Sequence, residues 1–127
     1  MKIFLNTSAR RTYYLTQDTD KTIAWELGPI ESFVMMNLIE KFKNITESQN
    51  NIALMREVIR HGLKGVKGQS EGQDIVIEFE EVDISYLGKF KVVADKFLNN
   101  LNLVVITELA TEIINDNTVR EPEAKNS

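Results

Sequence analysis

Thr46–Gly65 reads TESQNNIALMREVIRHGLKG, and the fold turns on how this stretch is read. Ile52, Met55, Ile59 and Leu63 recur at three- and four-residue steps, so on a helix they share one face. Leu54 and Val58 widen that face. Thr46, with Gln49 three residues later, forms a capping box. Arg60, His61 and Lys64 crowd the last turn, where cations suit the negative end of the helix dipole. Gly62 or Gly65 offers a left-handed exit. The stretch therefore predicts a helix over 46–62, with His61 partly exposed beside its C-terminal cap.

Upstream, Gly28-Pro29 marks a break, and proline is tolerated in a first helical turn. Ile30–Lys43 carries apolar residues at Ile30, Phe33, Val34, Leu38 and Phe42, with Met35, Met36 and Ile39 beside them. This arc is broad enough for a well-buried helix or one at a subunit contact. Asn44-Ile45 is a short link, which predicts an antiparallel pair with the helix at 46–62. Further back, Ile23, Trp25 and Leu27 alternate with polar positions. With Tyr13–Leu15 they predict a hairpin closed by the polar run Thr16–Lys21, with Trp25 in the core. KIFL at 2–5 reads as a short strand. Arg10 and Arg11 read as a solvated loop.

Downstream the texture changes. Lys64–Asp74 holds three glycines and reads as a mobile loop. Its spacing fits neither of the common glycine-rich phosphate motifs. Asp74–Val82 predicts a strand, with Ile75, Ile77 and Phe79 inward and Glu78, Glu80 and Glu81 on an acidic side. Tyr86–Val93 predicts a glycine-centred turn and another short strand. Asp95 is a candidate cap for a short helix over 96–101. Leu103–Asn115 predicts the last helix, capped by Asn102, with Val105, Ile106, Leu109, Ile113 and Ile114 as its stripe. The whole reads as an α+β fold: an N-terminal hairpin, a central helix pair, one or two short strands and a C-terminal helix. A single domain over 1–115 is followed by a polar tail over 116–127, expected to be disordered.

A chain of 127 residues with no cysteine is one domain without a disulfide framework. Its net charge of −4 argues against general nucleic-acid binding, which needs cations to displace counterions from phosphate. No apolar run approaches the roughly 20 residues of a membrane span, and the opening residues are too short a run for a signal peptide. With one histidine and no cysteine, the common zinc sites cannot form. A serine triad would have to use His61 as its base. No cofactor is implied. The acidic run from Glu71 to Asp83 is the one place for a hard cation, and no ligand spacing is fixed there. The basic residues Arg56, Arg60, Lys64 and Lys67 precede it, a segregation of sign that would let identical subunits meet head to tail.

Three phrases carry a resemblance: EVIRHGLKG (57–65), KFKVVA (89–94) and ITELATEII (106–114). Their order and spacing over about residues 22–117 are similar to those of tail assembly chaperones of tailed bacteriophages. Val66 and Lys67 stand where that group has an aromatic residue, and Asn102 where it has a proline. The resemblance implies a non-catalytic protein of the host cytoplasm that coats the tape-measure protein and self-associates. In many phages a frameshift near the end of such a gene adds a second domain. A chaperone of this kind needs an exposed apolar strip. The candidates are Met35 and Met36 on the helix at 30–43, and Leu103, Ile106, Leu109 and Ile113 on the last helix. One stripe must build the core and the other take the partner. The rival reading is a small acidic phage protein that binds a host enzyme or defence complex, with Glu78, Glu80 and Glu81 imitating phosphates. A third is a metal-dependent hydrolase built on the same carboxylates.

Overall fold

The computed structural model describes residues 10–42 and 48–118. The strand expected at 2–5, the capping box at Thr46, the link Asn44-Ile45 and the tail beyond 118 lie outside the described residues. β1 (Arg11–Tyr13) and β2 (Ala24–Leu27) form the N-terminal hairpin, with Tyr13 opposite Trp25. Its connection is held by Asp18, whose carboxylate accepts from the Thr22 and Ile23 amides and from the Thr22 hydroxyl. Those amides hold the Asp18 carboxyl below its ordinary range. Trp25 and Leu27 are buried and Ile23 half-buried, so the alternation of this strand points as the sequence predicts.

α1 (Ser32–Phe42) follows, then α2 (Ser48–Gly62). α2 packs against both α1 and α4 (Leu103–Thr118). Val58 and Ile59 are its fully buried residues. The helix does not leave through a left-handed glycine. Neither Gly62 nor Gly65 has positive φ, and α2 passes directly into β3 (Leu63–Lys67). β3 pairs antiparallel with β2, Val66 opposite Trp25, and completes a sheet of order β1-β2-β3. The expected loop at 64–74 therefore begins as a strand. Gly62 serves packing: a Cβ there would lie 2.4 Å from Cγ2 of Ile113 on α4. Two carbonyls at the helix end find donors elsewhere. Gly62 O accepts from the Gly28 amide at 2.9 Å, and His61 O from Lys64 Nζ at 2.6 Å.

β4 (Gln69–Ser70) and β5 (Gln73–Asp74) form a small exposed hairpin. The strand expected over 74–82 is displaced to β6 (Phe79–Ile84), which pairs with β7 (Gly88–Val93) through a turn holding Tyr86 and Gly88 at positive φ. Ile75, Ile77 and Phe79 pack against the core and Val76 is exposed, as the alternation predicts. α3 covers Asp95–Leu98, and its N-cap is Ala94. Asp95 lies inside the first turn and pairs with Arg56 at 3.0 Å instead of capping. Asn102 does cap α4, its Oδ1 accepting from the Val105 amide at 2.9 Å.

α4 runs beyond the expected end at 115. Asp116 pairs with Arg11 at 2.8 Å and Asn117 Oδ1 accepts from the Ile30 amide at 2.9 Å, so the last turn is tied to β1 and to the entry of α1. Arg11, expected in a solvated loop, is a strand residue bridging Glu112 and Asp116. Glu108 accepts from the Tyr13 hydroxyl and from the Thr16 amide and hydroxyl. These bonds, Tyr13's first, lower the Glu108 carboxyl, and burial followed by Glu108 pushes the Tyr13 phenol up to about 12. The core itself lies where β2, α1, α2 and α4 meet. Trp25, Val34, Ile59, Leu63, Leu109 and Ile113 are among its buried residues.

Candidate functional site

α1 offers the candidate surface. Val34, Met35 and Leu38 turn inward and are buried. Phe33, Met36 and Ile39, at three-residue steps, are 62%, 61% and 44% exposed. Residues three apart are neighbours on a helix surface, so these side chains form one continuous apolar strip. Large apolar side chains scattered singly are ordinary; three in a row on one helix are not.

The structure divides the six expected partner-binding residues. Met36 and Leu103 are exposed. Met35, Ile106, Leu109 and Ile113 are buried in the core, so these four do not present a face to a partner. For the last three the reason is α2, which packs against α4 with Gly62 directly over Ile113. Leu103 and Val104 stay exposed because they precede that contact on the first turn of α4. Phe33 and Ile39 belong to the broad arc of the sequence, but their exposure depends on which flank of α1 the core occupies. Local spacing does not reveal that flank.

The acidic side is arranged differently from the expectation. Glu78, Glu80 and Glu81 are all exposed. Glu80 pairs with Arg60 of α2, and Glu78 lies 3.5 Å from Lys96. Glu81 stands opposite Lys91 and Asp83 opposite Lys89 across the β6–β7 ladder. The Arg60 guanidinium also donates to Val93 O at 3.0 Å and to Glu57 at 3.2 Å. The opposite signs at 56–60 and 78–95 thus meet within one chain, at the seam between α2 and the β6–β7 hairpin. A row of bare carboxylates imitating phosphates is not what this seam presents.

His61 is the one candidate base for nucleophilic chemistry. The residue is buried, not partly exposed, because β7 covers it: its ring meets Phe90 edge-on at a centroid distance of 6.1 Å. Burial, with Lys64 and Arg60 nearby, lowers its pKa to about 4. Among the described residues no hydroxyl hydrogen-bonds to its ring, and no group of three or more acidic or histidine side chains is close enough to hold a metal ion. No helix among them is long and apolar enough to cross a membrane. No family model, no curated protein and no solved structure matches this chain.

Proposed function

We propose that this chain is a non-catalytic phage protein of tail assembly that binds the tape-measure protein and self-associates in the host cytoplasm. The observation that carries the reading is the strip Phe33, Met36 and Ile39 on α1. A strip at helical spacing suits a helical partner, which can lay its own apolar face along it. Methionine and phenylalanine suit such a role because they fill irregular surfaces and supply large contact area. The order of the phrases EVIRHGLKG, KFKVVA and ITELATEII supports the choice of partner.

Light scattering tests this directly. The mass in solution would be measured for the chain alone and after co-expression with the long helical protein encoded next to it. The reading predicts an assembly larger than one chain and co-purification with that neighbour. A monomer that ignores the neighbour would contradict it.

A further inference from the structure

A recess of about 220 Å³ opens between the start of α1, the junction of α2 with β3, and β7. It is separate from the α1 strip, none of whose three side chains lines it. Glu31, Val34, His61, Lys64, Phe90 and Lys91 are among its lining residues.

Three features distinguish it from an ordinary surface dent. First, His61 is only 7% exposed, lines the recess, and makes no side-chain hydrogen bond to any described residue. Among the described residues Trp25 Nε1 is the one fully enclosed side-chain polar atom without a partner, so the His61 ring nitrogens keep contact with open space and have hydrogen-bonding capacity to spare. Second, Lys64 is half-buried, and no described carboxylate lies within ion-pair distance of it. Its ammonium donates to the carbonyl of His61, which leaves donors over. Third, the backbone places that lysine by a bulge. Glu26 pairs with Gly65 and Leu27 with Leu63, so Lys64 is the extra residue of β3. Bulges re-aim a side chain, and they are frequent beside functional sites.

The charges around the recess decide the ligand. Lys64 and Arg60 both act on His61, and Arg10 acts on Lys64. Arg60 is answered by Glu57 and Glu80. The Lys91 ammonium is turned away, lying over the Phe79 ring at 4.7 Å to the centroid. Glu31 is the one carboxylate on the lining, and its Oε1 accepts from the Phe33 amide at 2.6 Å. Lys64 thus has no described carboxylate within ion-pair distance, and it stands beside an imidazole that can donate, with Val34 and Phe90 as apolar walls. We infer that this recess binds a small organic monocarboxylate, its carboxylate on Lys64 and His61 and its apolar body against Val34 and Phe90. An apolar cavity of about 150 Å³ accepts benzene, so the space suits a single ring bearing a carboxylate.

His61 is the chain's single histidine, so its ring signals in NMR report the site without ambiguity. The probe is sodium benzoate, titrated into the full chain, with benzyl alcohol as the uncharged counterpart. Benzoate should shift the His61 signals saturably, with Kd on the order of 1 mM, and should raise the pH midpoint of the ring. Lys64→Met should weaken binding about tenfold, since it removes the charge-assisted bonds. Glu31→Gln should leave binding intact or tighten it. A non-saturating response to benzoate would overturn the inference, as would equal binding of benzyl alcohol or an unaffected Lys64→Met variant. If Lys64→Met does not fold, the wild-type ring decides: a midpoint unmoved by saturating benzoate would overturn the inference.

Discussion

α1 and α4 read alike in sequence and end up differently used. Each carries apolar residues at three- and four-residue steps over more than two turns. On α4 the stripe Ile106, Leu109, Ala110 and Ile113 is wholly enclosed. On α1 the inner residues Val34, Met35 and Leu38 are enclosed, and the adjoining Phe33, Met36 and Ile39 are not. The difference comes from the neighbours. α4 is covered by α2, at whose end Gly62 allows close approach. α1 has a wider apolar arc than its neighbours cover, and the surplus faces outward. Hydrophobic periodicity identifies which face of a helix is apolar. It does not say how much of that face the rest of the chain will cover.

The contrast can be broken most severely from the α4 side. Leu109→Ala and Ile59→Ala should each cost about 2–5 kcal/mol, because both remove side chains with no exposed surface. Chemical denaturation measures this, and a change near zero would place the core elsewhere. Acidification gives the next effect. The folded chain keeps the His61 imidazole neutral down to about pH 4, whereas an unfolded chain takes up the proton near pH 6.5. The unfolded state therefore binds more protons in that window. This contribution is fully present above about pH 6.5, declines as pH falls, and is gone below about pH 4; it is worth roughly 3 kcal/mol. His61→Gln should flatten the decline of melting temperature across that window. The depressed carboxyl of Glu108 adds a second loss that starts only below its ordinary pKa of 4.5.

Gly62→Ala tests the α2–α4 contact itself. The new methyl meets the branch of a fully buried isoleucine, so the expected cost is about 1–3 kcal/mol from overpacking. A neutral result would mean the two helices have slack between them. Glu108→Gln should cost about 1 kcal/mol, because the Tyr13 and Thr16 donors lose a charged acceptor. The smallest effect belongs to the α1 strip. Met36→Ser should change stability by less than about 0.5 kcal/mol, as for other exposed positions.

Several features were legible because they rest on local chemistry. The hairpin faces of Trp25 and Leu27, the Asn102 cap and the inward set Ile75, Ile77 and Phe79 all follow from short-range pattern. The misreadings share a cause, which is contact between distant parts of the chain. Gly62 looks like a helix stop by its neighbours, but its reason is Ile113 on another helix. Lys64–Asp74 looks like a loop, but Val66 has a strand partner at Trp25. His61 looks like a cap histidine until β7 covers it. Asp116 and Asn117 look like the start of a polar tail, but Arg11 and the Ile30 amide hold them in the helix. At the candidate surface, Met36 and Leu103 could be picked as apolar but not as exposed. The acidic residues could be picked as exposed but not as paired.

The most direct test of the account replaces the strip alone. In Phe33→Ser/Met36→Ser/Ile39→Ser the buried side of α1 is untouched, so the melting temperature should stay close to that of the wild type. If the chain binds a tape-measure protein as proposed, capture of that co-expressed partner should be lost. Undiminished capture by the triple variant, with its fold intact, would contradict the assignment of α1 as the partner surface.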